Sequence, residues 1–419
     1  MTLSQAVSLA LRQNRTVRAA ELETRRIAER IAIERTRLLP ALSTWALGGQ
    51  LLTRPSIRFD PGVLGTYPNT GPIPGTRTDI TSGRVPAGAV LAQATLPLTQ
   101  RIRTHLTIQG LHMEEQLNRE LERERRHAIA GDVKRVYYAL QQTESQLASA
   151  GQSVTLYREA LRLTEDNLKQ QTVLAADLLE VRGRLARAEL QSLQLRNGLD
   201  TAREQLNELL GRDIAAPFRT DPLPEEEASA ADVAEARRKA IASRPELAQA
   251  RIRLQEASLD RRSKKAEYLP NVSLAVDYFS TLHLTGVVPA NFAAAGLQIS
   301  WEPFDWGRKR HETAEKQRVE EEASLALQET ESRILRDVGA QFRKLEESRR
   351  QLAVGRLGQQ AAEENLRVMK NKYGLQAALL KDLLQTEASF AEAASQYQQA
   401  LAQFWTARAD FEKAVGEDK

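Results

Sequence analysis

At Leu269-Pro270, inside the stretch AEYLPNVSLAVDYFS (266–280), the chain changes the period of its polarity. Upstream, EARRKAIASRPELAQARIRLQEASLDRRSKKAEY is charged and reads as helix. Downstream, Val272, Leu274, Val276 and Tyr278 point one way, and Ser273, Ala275 and Asp277 point the other. That alternation belongs to a strand with one apolar and one wet face. A second run repeats it, with Leu297, Ile299 and Trp301 opposed to Gln298, Ser300 and Glu302.

The pattern occurs twice. Slid on itself without a gap, the chain matches Leu39-Pro40 to Leu269-Pro270, Ala6 to Ala236, Ala10 to Ala240, Val17 to Leu247 and Ala20 to Ala250. Each half then carries a second alternating run that ends in proline, VLAQATLPLTQ (90–100) and GLQISWEPFDW (296–306). Further on, Ile129, Val133, Val136 and Leu140 form an apolar helical stripe, answered by Ile334, Val338, Gln341 and Leu345. Asp177-Leu178-Leu179 recurs as Asp382-Leu383-Leu384, and Gly211 as Gly416.

The expected organisation is a tandem duplication. The first repeat, 1–211, holds a helix over 2–38, strands near 41–52 and 88–98, a long helix near 101–171 and a helix near 177–210. A Pro-rich acidic linker takes 212–231. The second repeat, 232–419, holds a helix near 232–268, strands near 271–283 and 292–304, a long helix near 306–374 and a helix near 380–416. Residues 53–89 read as a long Pro/Gly loop between the first pair of strands. Each long helix spans about 105 Å at 1.5 Å per residue, and two of the shorter helices end to end match it. Those proportions suit a helical barrel wall rather than a globular bundle.

Strands of about 10 residues, tilted, are the length that crosses an outer membrane. Trp45, Tyr278 and Trp301 are candidates for an aromatic girdle. The first half is ambiguous, because Ser43, Trp45 and Leu47 share one face while Leu42, Thr44 and Ala46 share the other. Four strands cannot close around an aqueous lumen, and an open edge in lipid leaves backbone groups unpaired. Several copies must then contribute to one barrel, and three would supply about twelve strands. The competing reading is a soluble coiled-coil scaffold capped by a hairpin. A fixed-offset duplication of alternating strand pairs gives such a scaffold no purpose.

Composition narrows the chemistry. The 59 basic and 55 acidic residues nearly cancel to +4, which is no nucleic-acid footprint. Aromatic residues are only 5%, as in long helices. The absence of cysteine excludes disulfides, thiolate metal sites and lipidated cysteines. His105 and His112 lack a third ligand, and no catalytic constellation or phosphate loop occurs, so neither metal, cofactor nor enzymatic activity is expected. Arg101, Arg103, Arg308, Lys309 and Arg310 cluster by the strand ends, where lipid phosphates or plain solvation would suit them. No run is apolar enough for a transmembrane helix. Helical pattern starts at Met1-Thr2-Leu3, so an envelope location implies a leader encoded upstream.

Taken in order, MTLSQAVSLALRQNRTV, ATLPLTQ, RPELAQARIRLQEASLDRRSKKAEYLPNVSL, ISWEPFDWGRKR and KYGLQAALLKDLLQTEASFAEAASQYQQALAQFWTARADFEKAVG resemble the outer-membrane efflux protein family across essentially the whole chain. These proteins are the exit ducts of tripartite pumps and type I secretion systems. The resemblance implies a mainly α fold with a membrane β-barrel portion, in which a homotrimer forms a twelve-stranded barrel continuing into a twelve-helix periplasmic tunnel. It implies an outer-membrane location, a periplasmic adaptor protein as partner, and an inner-membrane pump reached through that adaptor. Val272, Leu274, Val276, Tyr278, Leu297, Ile299 and Trp301 would then face outer-membrane lipid. The helix turns near 167–181 and 372–387 would form the gated tip. There the resemblance assigns Asp177, Asp382 and Tyr373 to the constriction and Gln171, Val173, Leu174, Gly374 and Leu375 to adaptor docking. The pattern departs from the family at Ala378, where some members carry a gating arginine, at Gln385, where they carry a second ring aspartate, and at Gln376, where the turn glycine falls. Closure by packing of Leu379, Leu380, Val173 and Leu174 is the expectation that follows. A carboxylate at Asp177 or Asp382 also suits the start of a helix, whatever its role in a pore.

Overall fold

The computed structural model describes residues 1–419 apart from 51, 53–55, 82–85, 172–173, 223–231, 283–290, 376 and 418–419. Helices α1 (Leu3–Gln13) and α2 (Arg15–Thr36) lead into strand β1 (Ala41–Gln50). Short strands β2 (Ser56–Phe59), β3 (Thr66–Tyr67), β4 (Gly71–Pro72) and β5 (Thr78–Thr81) precede β6 (Pro86–Pro97). Then come α3 (Gln100–Lys169) and α4 (Ala175–Leu209). The order returns in α5 (Val233–Ser243), α6 (Pro245–Ala266), β7 (Asn271–Leu282), β8 (Asn291–Ser300), α7 (Arg308–Gly374) and α8 (Leu380–Val415).

Several elements differ from the sequence expectation. The helices expected over 2–38 and 232–268 are each broken in two. Asn14 is extended (φ −60°, ψ 130°), and its Oδ1 accepts from the N–H of Thr16 at 2.9 Å, which caps α2. Arg244 is extended (φ −66°, ψ 123°) because Pro245 follows it, and proline then opens α6. Part of the expected loop 53–89 is structured. There β2 pairs with β5 and β3 with β4, and Arg58–Asp79 (2.9 Å) and Arg77–Asp60 (3.0 Å) tie the ribbon. The last strand stops at Ser300, not 304, because its partner β7 begins at Asn271, just after Pro270, which has no N–H to give. Trp301 therefore lies beyond the strand. The described part of the linker is packed down: Tyr137 Oη donates to Asp221 O at 2.8 Å, and Phe218 leans on the helical core.

The chain forms two compact units whose sequence boundaries fall inside α2, α3, α6 and α7. The first comprises Met1–Arg26, Glu115–Leu254 and Ala323–Lys419. Its core gathers Val133, Tyr137 and Leu140 of α3, Leu206 of α4, Ile334 and Val338 of α7, and Phe404 and Trp405 of α8. Ala6, Ala10, Ala236 and Ala240 pack into the same core, where small side chains let backbones approach closely. The helix breaks belong here. Asn14 Nδ2 donates to Leu209 O at 2.8 Å at the end of α4, and Arg244 Nη1 donates to Ala414 O at 3.2 Å at the end of α8. Both contacts supply partners for last-turn carbonyls. Gly211 (φ +69°) and Gly416 (φ +83°) take the left-handed conformation at these corners.

The second unit comprises Ile27–Glu114 and Gln255–Glu322. It contains one antiparallel sheet in the order β1-β6-β7-β8, so β1 and β8 are its edges. Beneath the strands, Ile27 and Ile31 of α2 bury against Ile108 and Leu111 of α3. On the other helix pair, Arg261–Glu320 (2.8 Å) and Lys264–Glu312 (3.1 Å) join α6 to α7.

Candidate functional site

Register assigns every strand residue to a face. Val272 stands opposite Ile299, and Leu274 opposite both Leu297 and Leu96. Val276 meets Ala94, which meets Leu42, and Tyr278 meets Ala92, which meets Thr44. One face is thus mostly aliphatic side chains and alanines, with Thr44, Ser280 and Asn291 toward one end, and it gathers Val272, Leu274, Val276, Tyr278, Leu297 and Ile299. Leu42, Leu297 and Ile299 are more than three-fifths exposed, although nothing polar accompanies them in their rows. The opposite face carries Ser43, Gln93 and Asp277 in one row, with Gln93 Nε2 donating to Asp277 Oδ1 at 2.8 Å.

The same register moves Trp45 out of the girdle expected for it. It pairs with Leu91 and so lies on the Gln93–Asp277 face, opposite Tyr278. Trp301 is exposed just past β8, and Phe304 and Trp306 follow it with ring centroids 4.8 Å apart, edge to face. Trp306 has φ +56° and is 89% exposed. The sequence reading missed this pair, although WEPFDW displays it.

The basic cluster is largely turned to the protein itself. Lys309 is buried, with Nζ donating to Glu302 O at 2.9 Å, and Arg308 pairs with Glu302 at 2.6 Å and Glu312 at 3.2 Å. Arg103 reaches the carbonyls of Ala266 and Leu269. His112 lies 3.5 Å from Arg35, a cation that opposes a metal there. No three His, Cys, Asp or Glu side chains among the described residues gather to hold an ion. Among them, too, no helix is long and apolar enough to cross a membrane.

The helix turns sit in the first unit. Gln171 takes φ +59° after α3, Leu174 caps α4, and Asp177 Oδ2 accepts from Leu174 N–H at 3.0 Å. Asp177 thus serves as a helix-start carboxylate. Leu379 caps α8 in the same backbone conformation, with Asp382 exposed one turn in. Leu174 (72%), Leu375 (80%) and Leu379 (69%) are among the most exposed apolar side chains of the unit. Gly374 ends α7 and is exposed, and Tyr373 is half-buried. Val173 lies outside the described residues, as does the side chain of Leu380. The sequence reading overlooked two ion pairs behind these turns, Arg182–Glu165 (3.0 Å) and Lys370–Glu387 (3.2 Å).

A profile of the outer membrane efflux protein family matches residues 6–212 and 236–417. Among solved structures, the fold is similar to that of the Campylobacter jejuni CmeC outer membrane channel (TM-score 0.79, 15% identity, 99% of this chain, 85% of that one). The Neisseria gonorrhoeae MtrE outer membrane channel in its open state matches with TM-score 0.77 and 17% identity over 99% of this chain and 88% of that one. The outer membrane protein VceC of Vibrio cholerae matches with TM-score 0.76 and 15% identity, over 99% and 96%. No curated protein sequence matches.

Proposed function

The chain belongs to the outer membrane efflux protein family, and on that premise we propose that it is the passive outer-membrane duct of a tripartite efflux or type I secretion system. The observation that carries this reading is the sheet β1-β6-β7-β8, mostly apolar on the Val276–Leu297 face, with the Ser43–Gln93–Asp277 row on the other, and open at both edges. A sheet in hydrocarbon must close on itself. One chain supplies too few strands for an aqueous lumen, so three copies joined β8 to β1 make the barrel, with the Leu42–Val276–Leu297 face to lipid and the Gln93–Asp277 face to water.

The helices continue the wall into the periplasm. Exposed Leu179, Leu190 and Leu193 on α4, with Leu325, Val354 and Leu357 on α7, are the surfaces that neighbouring copies cover. At the helix turns Asp177 and Asp382 line the constriction with Tyr373, and the leucines Leu174, Leu379 and Leu380 close it by packing. Gln171, Val173, Leu174, Gly374 and Leu375 meet the periplasmic adaptor, which couples the duct to an inner-membrane pump. The duct does no chemistry, and transport energy enters at the pump.

The test is to express the chain behind a signal peptide, extract outer-membrane fractions with detergent, and measure mass and shape by light scattering and negative-stain imaging. A tube of three times the chain mass of 46.8 kDa is expected. A water-soluble monomer or dimer absent from membranes overturns the reading in favour of a coiled-coil scaffold.

A further inference from the structure

One row of the sheet contradicts the polarity of its face. Trp45 pairs with Leu91, Leu91 with Phe279, and Phe279 with Phe292, so four large apolar side chains cross the four strands in line. Strand spacing of about 4.8 Å makes this row about 15 Å long. Trp45 is 53% exposed and Phe292 50%. They stand on the polar face, and the flanking rows of the opposite face are smaller there: Thr44, Ala92, Tyr278 and Ala293 on one side, Ala46, Val90, Ser280 and Asn291 on the other. On the duct reading the face of Trp45 and Phe292 is turned to the lumen, so lipid does not account for these aromatic residues.

The row beside it holds Ser43, Gln93 and Asp277, about 7 Å along the strands. Asp277 is exposed, and its Oδ1 is oriented by the Gln93 amide at 2.8 Å. Aromatic faces next to a fixed carboxylate attract a cation that has a flat apolar body. Anions are repelled by the carboxylate, and small hydrated cations gain little from the rings.

We propose that Trp45, Phe279 and Phe292, with Asp277, form a binding station for planar aromatic cations on the inner wall of the barrel, repeated in each copy. The proposal rests on the duct reading, because only that reading makes this face the water-filled one. The station slows such solutes in transit and gives the duct a preference among them.

Ethidium binding to the detergent-solubilised assembly, followed by fluorescence anisotropy, tests it. Trp45→Ala and Phe292→Ala are each expected to weaken binding about threefold to thirtyfold. Asp277→Asn, which keeps shape and the Gln93 contact, is expected to weaken ethidium by a similar factor while leaving a neutral planar dye unaffected. Leu274→Ala, on the opposite face, is expected to change neither. Unaltered ethidium binding in Asp277→Asn and Phe292→Ala overturns the proposal. A nitroxide at position 276, read in the reconstituted protein, separates the two failures. With that label in lipid and ethidium binding insensitive, the station alone is wrong. With the label in water, the duct reading fails and the station falls with it.

Discussion

Arg182 of α4 pairs with Glu165 of α3 at 3.0 Å, and the matching positions of the second repeat hold Glu387 of α8 and Lys370 of α7 at 3.2 Å, the same clamp with its charges exchanged. Behind each helix turn, at the same place in the repeat, an ion pair therefore joins its own two helices. Crossing the partners would set Arg182 against Lys370 and Glu165 against Glu387. The exchange thus favours each helix pairing with its own partner over pairing across repeats.

The first clamp is solvent-exposed, so its strength is modest, whereas Glu387 of the second is only 13% exposed. With Arg182 54% and Glu165 41% exposed, the first is worth about 0.2–1 kcal/mol. Arg182→Glu is expected to lower the melting temperature slightly, and Arg182→Glu with Glu165→Arg to restore it. A double-mutant cycle with no coupling energy would refute the clamp.

Two glycines should respond oppositely to alanine. At Gly211, φ is +69° and an added methyl would strike the backbone of Gln13 and Asn14. Gly211→Ala is expected to destabilise by about 1–3 kcal/mol, from left-handed strain and the forced opening of this corner. Gly183, inside α4 with open space around its Cα, is expected to stabilise by up to about 1 kcal/mol when made alanine. Denaturant midpoints of the two variants decide it.

Stability should fall away at both ends of the pH scale, for separate reasons. Burial raises the Tyr137 and Tyr138 phenols above the ordinary value of 10. A raised folded pKa gives stability that is complete below pH 10 and is lost as pH rises toward the folded value. Absorbance titration should show these two of the eight tyrosines ionising only as the helices unfold. At the acid end, the Lys309 N–H, and after it that of Gly307, hold the Asp305 carboxyl below its ordinary 3.8. A lowered pKa gives stability present above that value and lost as pH falls through the folded one. Asp305→Asn should flatten the acid limb of a melting-temperature profile.

The two turn aspartates are separable. Asp382→Asn is expected to reduce the cation preference of the channel in planar bilayers, measured as a reversal-potential shift under a salt gradient. Asp177→Asn should do the same and also weaken the start of α4, because Asp177 holds the N–H of Leu174. Hydrogen exchange at residues 174–178 should rise in Asp177→Asn and stay unchanged in Asp382→Asn. An unchanged reversal potential in both would remove them from the pore.

The residues alone determine the repeat, the long helices and the apolar face of β7, because period and offset are local properties of the chain. Pro245 announced the break at Arg244 through its effect on the preceding residue. The break at Asn14 has no such signal, since an asparagine inside a helical pattern becomes a corner only when Leu209 O waits for its amide. Register, likewise, is not local. Ser43, Trp45 and Leu47 are as good a face as Leu42, Thr44 and Ala46 until β6 and β7 place Leu42 in line with Val276. The plainest case is Leu179 and Leu384, which hold the same position in the repeat. Leu384 is 5% exposed among Ala160 and Val181, and Leu179 is 67% exposed. Burial depends on which neighbour arrives, and only the tertiary structure decides that.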